Sequence, residues 1–478
     1  MAVISILVSL VSMQGLGISN LSIMKLFFTS MLVFIASLNR VTRIISVIML
    51  LISSSYFPTG LTYGYVNIGY VSSFFETTYL EALEFISIIK TKNILITLLF
   101  ISMVISILLI GNKTKNIKLI IALPICAVAF PNSYYYKFLK DSYKITTEYI
   151  SKKESLMTQK GMSLSVSEPL DNKKNTIIIV GESVRKDFMH VYGFKYNNTP
   201  FLDSVKGYFF DGYYSTSPNT SPSLQRTLSL YRDNNTSERD NVISIANAAG
   251  IKTYWLSNQG FSGKFDTPVS RIAMNAKNKF FLKEGDFKSK NIDDFELINQ
   301  LEKIINNTNG GKVIFMHMVG SHPKTCDRLN GFPVYETSNN DNINCYISTI
   351  AKLDSFIKKI KSVMDSTNDD YSIVYFSDHG MKISDGEIIV GNEYLQNFEI
   401  PLIIINRNDE DHVVVNKKIS AYDFISIFSM IIGVDVSAIE NYRDIDSIPE
   451  NNHISVYDWE NMISIDTLSS QPASSIIK

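Results

Sequence analysis

The chain falls into two parts by the pattern of its apolar and polar positions. Residues 1 to about 131 contain a succession of apolar runs, whereas the later residues alternate short apolar stretches with polar, amphipathic ones. The clearest run, Ile94 to Gly111, has no charged residue and is long enough to cross a bilayer as a helix. Four shorter runs need flanking residues to reach that length: Ala2 to Met13, Leu26 to Leu38, Ile44 to Phe57 and Leu119 to Phe130. The pattern predicts a transmembrane domain of about five helices over residues 1–131.

Charged residues between the apolar runs predict the orientation of these helices. Arg40 and Arg43 lie between the second and third runs. Lys113, Lys115 and Lys118 lie between the fourth and fifth. The longer connection between the third and fourth runs carries three glutamates: Glu76, Glu81 and Glu84. Because basic loops stay on the cytoplasmic side, five helices place the C-terminal part of the chain outside.

The second part predicts an α/β fold. Five strand-like runs alternate with amphipathic stretches, and the cleanest helical stretch covers Ile343 to Met364, with apolar residues every three or four positions. The runs are Thr176 to Val180, Thr253 to Ser257, Lys312 to Met318, Ser372 to Ser377 and Pro401 to Ile405. Such alternation favours a mostly parallel sheet between helices. We expect a membrane-proximal connector at 132–174, one catalytic domain at 175–465 and a polar tail at 466–478.

Net charge limits the kinds of binding partner that we expect, and the cysteines predict one disulfide bond. The formal net charge is −1, so no polyanion-binding role is indicated and nucleic acid is not expected as a partner. Of the three cysteines, Cys126 lies in the last apolar run, where it is expected to pack as a small apolar residue. Cys326 and Cys345 lie in the exported part, where a disulfide is the expected state and two free thiols are the alternative.

Two predicted strands end in acid or imidazole side chains. Glu182 follows Thr176 to Val180, and Asp378 and His379 follow the run that ends at Ser377. Open α/β sheets build their sites at the carboxyl ends of strands, and this mixture of oxygen and nitrogen ligands suits a divalent metal, zinc above all. Thr220 precedes a helix predicted over Pro222 to Tyr231, so its hydroxyl is a candidate nucleophile near a helix N-terminus. A threonine that only caps this helix is the alternative.

Two further histidines are candidate residues of the same site. His317 ends the strand Lys312 to Met318 and His322 lies in the loop after it. Imidazoles near a metal-activated oxygen can bind phosphate or protonate a leaving group, so we expect a catalytic or substrate-binding role for this pair.

In these motifs the sequence resembles the membrane-anchored phosphoethanolamine transferases of the alkaline phosphatase and sulfatase superfamily, over nearly the whole chain. The resemblance implies that Glu182, Thr220, Asp378 and His379 hold a catalytic zinc, with Thr220 also the nucleophile. It implies that His317 and His322 face the phosphoryl donor or a second zinc. It also implies a donor contact for Asn258 and a weaker one for Lys264. The matching residues, in the family's order, are Gly181-Glu182-Ser183-Val184-Arg185, Asn198-Thr199-Pro200, Asn219-Thr220, Gly320-Ser321-His322-Pro323 and Ser377-Asp378-His379-Gly380.

The resemblance also carries an expected activity. It implies transfer of phosphoethanolamine from phosphatidylethanolamine to lipopolysaccharide, at a lipid A phosphate or an inner-core sugar, by an enzyme of a bacterial inner membrane with a periplasmic catalytic domain. Two alternatives stay open: a phosphoglycerol transferase of the lipoteichoic acid type, and a metal-binding membrane sensor without catalysis.

The sequence departs from the family pattern in ways that bear on the metal and the nucleophile. Thr220 stands where sulfatases have the cysteine or serine that becomes an aldehyde, which a secondary alcohol cannot form; this argues against sulfate ester hydrolysis. Met381 replaces an acidic residue that often follows Asp-His-Gly, and no histidine occurs in the region of Gly391 to Glu393. One zinc site is therefore expected, and a second stays open.

Overall fold

The computed structural model describes residues 1–67, 70–71, 74–75, 89–111, 118–157, 162–171, 173–259, 268–282 and 292–477. These residues form two compact units, one drawn from residues within 1–154 and the other mainly from residue 155 onward. The division lies inside the connector predicted at 132–174. More than half of that connector is one long helix, Tyr134–Met157.

The first unit consists of helices. Among the described residues they are Ala2–Gly15, Ile23–Ser37, Arg40–Ser54, Phe57–Tyr63, Thr91–Gly111, Leu119–Ala129 and Tyr134–Met157. In the described part of the chain, Thr91–Ile110 is long and apolar enough to cross a membrane, and Leu119–Asn132 with Tyr134–Ser151 qualifies as a second span if this pair, bent by 57°, is taken together. Ala2–Gly15 and Ile23–Ser37 are apolar but shorter. A helix, Thr91–Gly111, covers the predicted run Ile94 to Gly111, and the count of five spans stays a prediction.

Many large apolar side chains lie on the outer surface of this unit. Phe57 and Phe100 are fully buried between the helices, with ring centroids 4.5 Å apart. Large apolar side chains such as Ile23, Phe27 and Ile120 are at least 60% exposed. An exterior of this kind is typical of surfaces covered by another apolar phase, and a bilayer is such a phase.

The second unit is built on an eight-stranded sheet. In the described chain the strands are β1 Asn175–Gly181, β2 Gly207–Tyr214, β3 Ser229–Arg232, β4 Asn235–Asn241, β5 Lys252–Ser257, β6 Asn278–Phe281, β7 Lys312–His317, β8 Tyr371–Ser377, β9 Lys382–Ser384, β10 Glu387–Ile389, β11 Leu402–Asn406, β12 His412–Ser420, β13 Ser455–Tyr457 and β14 Met462–Ser464. The large sheet has the order β12-β2-β11-β8-β1-β7-β5-β6. Only β11 runs antiparallel to its neighbours β2 and β8, so the predicted mostly parallel sheet is confirmed.

Helices cover both faces of this sheet, because successive residues of each central strand point to opposite sides. Ile177 and Ile179 of β1 belong to one core, which includes the helix Asp341–Asp365. Ile178 and Val180 belong to the other core, which includes the helix Phe424–Ile432. In the part of this unit that the structure describes, the remaining α-helices are Pro200–Ser204, Thr220–Leu228, Val242–Ala248, Pro268–Met274, Glu296–Asn307, Thr325–Arg328 and Ala473–Ile476.

Three details differ from the sequence-based predictions. The helix predicted over Pro222 to Tyr231 runs from Thr220 to Leu228, and the chain then turns into the β3–β4 hairpin. Asn219, and not Thr220, is the N-cap residue of this helix, so the capping alternative for Thr220 is wrong. Residues in the predicted polar tail are part of the fold: Ala473 is buried, and the Gln471 backbone carbonyl accepts a hydrogen bond from Arg185.

Candidate metal and nucleophile site

Glu182 and Asp378 emerge side by side from the middle of the sheet. β1 and β8 pair in parallel with Gly181 opposite Ser377, so the next residue of each strand lies at the same sheet edge. Glu182, Asp378 and His379 are each about 1% exposed. One ligand atom from each of the three lies within 4.8 Å of the other two. The structure therefore brings together three of the four predicted metal ligands, from strands almost two hundred residues apart.

The loop after β1 is shaped around the Asp378 carboxylate. Ser183 adopts a positive φ of 62°, and its backbone N–H donates to Asp378 Oδ1 at 2.9 Å. The backbone N–H of His379 donates to the same oxygen at 2.8 Å. The other oxygen, Oδ2, is buried and has no hydrogen-bond partner among the described residues. A buried carboxylate oxygen without a donor is costly unless a cation binds it, so this atom fits a metal ligand.

His379 is oriented by its own backbone neighbour. Its Nδ1 lies 2.8 Å from the carbonyl oxygen of Gly380, which requires a proton on Nδ1 and leaves Nε2 as the ring nitrogen that could bind a metal. Nε2 lies 3.5 Å from Glu182 Oε1 and 3.4 Å from Asp378 Oδ2. A fixed tautomer with Nε2 turned toward two carboxylates is the arrangement of a metal-binding histidine.

Gly380 allows two backbone segments to approach each other closely. Its φ is not in the left-handed region, but a Cβ at this position would lie 2.0 Å from the carbonyl oxygen of Gln396. The backbone N–H of Gly380 donates to Asn397 at 2.8 Å. The contact holds the segment after His379 against the chain at Gln396 and Asn397.

Thr220 completes the group at the start of a helix. Its Oγ1 lies 3.1 Å from Glu182 Oε2 and 3.3 Å from His379 Nε2. As the first residue of Thr220–Leu228 it stands at the positive end of the helix dipole, where negative charge is favoured. The hydroxyl thus lies where an attacking oxygen would be close to the metal ligands.

The electrostatics of the site favour a cation. Burial raises the pKa of Asp378 to about 7, and the charge of Glu182 adds to this. Burial lowers the pKa of His379, but Asp378 and Glu182 outweigh it and raise that pKa to about 9. Burial also opposes ionisation of Glu182, yet contact with His379 lowers its pKa to about 2. Two buried carboxylates that share one imidazole lack enough positive charge, and a divalent ion would supply it.

Comparison with known proteins agrees with this geometry. The sulfatase family matches residues 174–434. The phosphoethanolamine transferase OpgE of Escherichia coli K12 is 29% identical over 466 residues, which cover 90% of this chain and 88% of the relative. A putative phosphoethanolamine transferase of Haemophilus influenzae is 35% identical over 352 residues, 69% of this chain and 72% of the relative. The chain belongs to the sulfatase family, among its phosphoethanolamine transferases.

Two solved structures share the fold of this transferase. The integral membrane lipooligosaccharide phosphoethanolamine transferase EptA from Neisseria meningitidis covers 92% of this chain and 97% of its own, with a TM-score of 0.61 and 16% identity. The C-terminal periplasmic domain of EptC from Escherichia coli, in complex with Zn, covers 67% of this chain and 99% of its own, with a TM-score of 0.57 and 17% identity.

The transferase holds His317 as a neutral imidazole beside the ligand cluster. The ring is 4% exposed, and burial lowers its pKa to about 4. Nδ1 lies 3.4 Å from the Ser257 hydroxyl, and Nε2 has no hydrogen-bond partner within the described chain. His322 is half-buried, with Nδ1 3.5 Å from Arg328 Nη2, and it is close enough to Glu182 to contribute to the low pKa of that carboxyl.

Asn258 supports the loop of the two histidines. Its Nδ2 donates to Asp294 Oδ1 at 2.8 Å, while the Asp294 carboxylate accepts backbone N–H groups of Val319 and Gly320, each at 2.9 Å. The Asn258 nitrogen is therefore engaged within the protein, and its buried Oδ1 lacks a partner among the described residues. Asp294 was not predicted, because nothing in its local sequence connects it to a loop more than twenty residues away. Lys264 lies outside the described residues.

A disulfide links Cys326 and Cys345, the pair that the sequence analysis selects. It joins the short helix Thr325–Arg328 to the first turns of Asp341–Asp365. His322 lies just before the bridged helix, so the disulfide limits the freedom of the segment that carries this histidine. Cys126 is a free, half-buried thiol in the first unit.

Proposed function

We propose that this transferase moves phosphoethanolamine from phosphatidylethanolamine to lipopolysaccharide through Thr220. The observation that carries the proposal is the position of the Thr220 hydroxyl. It stands at a helix N-terminus within 3.3 Å of Glu182 and His379, two members of a buried metal-ligand group. A threonine so placed can attack phosphorus directly.

Zinc is the proposed metal, held by Glu182, Asp378 and His379. Asp378 Oδ2, which accepts no hydrogen bond from the described residues, and His379 Nε2, which faces the two carboxylates, fit this metal, because zinc takes oxygen and nitrogen ligands. When bound, zinc would lower the pKa of the Thr220 hydroxyl and offset negative charge on the phosphoryl group. One site is proposed, since the described residues contain a single group of this composition.

The first step forms a covalent intermediate on Thr220. A bond forms between Thr220 Oγ1 and the phosphorus of the lipid headgroup, and the bond from phosphorus to the glycerol oxygen breaks. Diacylglycerol leaves with the proton that Thr220 loses. The backbone amides at the start of Thr220–Leu228 and the neutral His317 are the proposed partners of the phosphoryl oxygens.

The second step returns the enzyme to its starting state. An oxygen of the acceptor, a lipid A phosphate or an inner-core hydroxyl, attacks the phosphorus, and the bond to Thr220 Oγ1 breaks. Thr220 regains a proton. His322 is the proposed proton carrier, because it is near Glu182 and less buried than His317, so it can exchange protons with solvent.

The proposed setting is a bacterial inner membrane. The apolar span Thr91–Ile110 supports an anchor in the bilayer that supplies the lipid donor. The disulfide between Cys326 and Cys345 supports an oxidising, periplasmic location of the catalytic domain.

The decisive experiment offers the purified full-length protein several lipids and one acceptor. Headgroup-labelled phosphatidylethanolamine should be consumed to diacylglycerol, with label transferred to lipopolysaccharide, whereas phosphatidylglycerol should not react. Consumption of phosphatidylglycerol instead would show that the transferred headgroup is phosphoglycerol, as expected for a transferase of the lipoteichoic acid type. An unchanged lipid pool, with zinc bound, would favour a binding protein over an enzyme.

A further inference from the structure

The hairpin β13–β14 reaches the residue that precedes the nucleophile. Its turn is closed by the Asp458 carboxylate, whose Oδ1 accepts the backbone N–H groups of Glu460 and Asn461 at 3.0 and 2.7 Å. The backbone N–H of Tyr457 donates to Thr216 at 2.9 Å, which attaches the hairpin to the segment leading to Thr220. A hairpin more than two hundred residues later in the chain therefore borders the reacting hydroxyl.

Trp459 occupies this turn in an unusual conformation. Its φ is +84°, a region that bulky residues adopt only where their surroundings hold them there. The Tyr457 hydroxyl donates to the carbonyl oxygen of Trp459 at 2.9 Å, and the side chain is only 5% exposed. The turn thus carries a large buried aromatic where a glycine would be the ordinary residue, which points to a use for the side chain.

The indole N–H donates to Asn219 Oδ1 at 2.8 Å. Asn219 is the N-cap residue of the helix that begins at Thr220, yet its side chain makes no capping hydrogen bond. Asparagine at such a position ordinarily accepts a backbone N–H with this oxygen. Trp459 diverts the carboxamide from the helix that it would otherwise cap.

This contact also fixes which end of the carboxamide faces which way. An indole nitrogen can only donate, so the atom toward Trp459 must be the oxygen. The Nδ2 group then lies on the other side of the amide, and no described residue accepts a hydrogen bond from it. An N–H₂ donor on the residue that precedes Thr220, with its orientation set by Trp459, suits the oxygens of a phosphoryl group.

We infer that Trp459 is a positioning residue that holds Asn219 so that Asn219 Nδ2 donates to the phosphoryl group transferred through Thr220. The inference rests on the proposed function, since it assigns a contact to the intermediate of that reaction. Trp459 touches no substrate atom and acts through Asn219.

The test measures the rate of adduct formation on Thr220 in the full-length protein, mixed with phosphatidylethanolamine and no acceptor. Trp459→Phe keeps the aromatic packing and removes the indole donor. We expect the maximal rate to fall about tenfold, with the lipid concentration at half-maximal rate unchanged, because the lost contact acts on the developing charge. Ser464→Ala, which removes a hydroxyl acceptor from the same hairpin, is the matched control and should react at the wild-type rate.

A double-mutant cycle separates positioning from a general loosening of the hairpin. Asn219→Ala should be slow, and Trp459→Phe added to it should cause no further loss. Wild-type rates in Trp459→Phe, or losses that multiply in the double variant, would overturn the inference while leaving the proposed function intact. Absence of any adduct in the wild type would overturn both.

If Trp459→Phe does not fold, Asn219→Asp tests whether Asn219 Nδ2 donates to the phosphoryl group. Aspartate keeps the oxygen that accepts from the indole but lacks the N–H₂ donor, so a slow but normally folded variant is expected. A wild-type rate in Asn219→Asp would show that Nδ2 is not used, and the inference would be wrong.

Discussion

Ser223 and Asp378 are joined by a hydrogen bond of 2.6 Å from the Ser223 hydroxyl to the Asp378 backbone carbonyl. Ser223 lies one turn after Thr220, and Asp378 is a predicted metal ligand. The contact therefore ties the helix Thr220–Leu228 to the strand end that carries Asp378 and His379, two of the three candidate metal ligands.

Ser223→Ala should loosen this link. A buried carbonyl would lose its hydroxyl donor, at a cost of about 1–2 kcal/mol, and the transfer rate should fall because Thr220 is held less firmly against Glu182 and His379. Chemical denaturation and transfer assays measure the two effects. Ser204→Ala, which removes an exposed hydroxyl that bonds within its own helix, is the control; an equal effect in both variants would contradict the specific link.

Thr220→Ala should abolish transfer without unfolding the protein, because it removes a small side chain that is only half-buried. Intact-mass analysis of the wild type with donor and no acceptor should show a phosphoethanolamine adduct, which peptide mapping should place on Thr220. Thr220→Ser keeps an attacking oxygen and should retain part of the activity. Transfer by Thr220→Ala at a near wild-type rate would rule out the covalent route.

Asp378→Asn should lose the metal. The amide keeps the shape of the side chain but cannot supply the negative charge that offsets a divalent cation. Elemental analysis should find about one zinc in the wild type and little in the variant. Asp354→Asn is a suitable control, because Asp354 is also a buried carboxylate but accepts the backbone N–H groups of Phe201 and Leu202. Full zinc content in Asp378→Asn would place the site elsewhere.

Gly320→Ala should impair activity more than Gly310→Ala. Both glycines have positive φ, 52° and 82°, so alanine costs about 1 kcal/mol of backbone strain at each. A Cβ at Gly320 would also lie 3.0 Å from the Glu182 carbonyl and 3.1 Å from its Cβ, whereas Gly310 has open space. Comparable denaturation midpoints with a lower transfer rate in Gly320→Ala alone are expected. Equal activities would show that Glu182 tolerates the displacement.

Replacing Cys326 and Cys345 together by serine should lower the free energy of unfolding by about 3 kcal/mol, since the bridge closes a loop between residues 19 apart. Urea unfolding compares the variant with the wild type, and Cys126→Ser, in the first unit, serves as the control. Non-reducing peptide mapping of the wild type should recover the linked pair. Two freely alkylated thiols in the untreated protein would contradict both the bridge and the oxidising location.

The acid and imidazole residues of the candidate site could be predicted from the sequence, because the end of a strand is a local feature. An apolar run followed at once by Glu182, or by Asp378 and His379, predicts both a buried strand and the place where its acids emerge. The long helix Asp341–Asp365 was equally readable, since its apolar periodicity is strong. A bilayer-length apolar run such as Ile94 to Gly111 identifies its helix by length and composition alone.

Tertiary structure decided how those features are connected. The sequence could not give the order of strands, in which β11 enters antiparallel, because strand pairing depends on contacts between distant segments. It missed Asp294, Ser223 and Trp459 for the same reason: each acts through hydrogen bonds to residues far away in the chain. The start of the helix Thr220–Leu228 was predicted at Pro222, two residues late, and the structure shows Asn219 at the N-cap position with its side chain bonded to Trp459 and not to the helix. The local sequence pattern determines which side chains lie at strand ends and helix starts. Only tertiary packing determines which of these side chains contact one another.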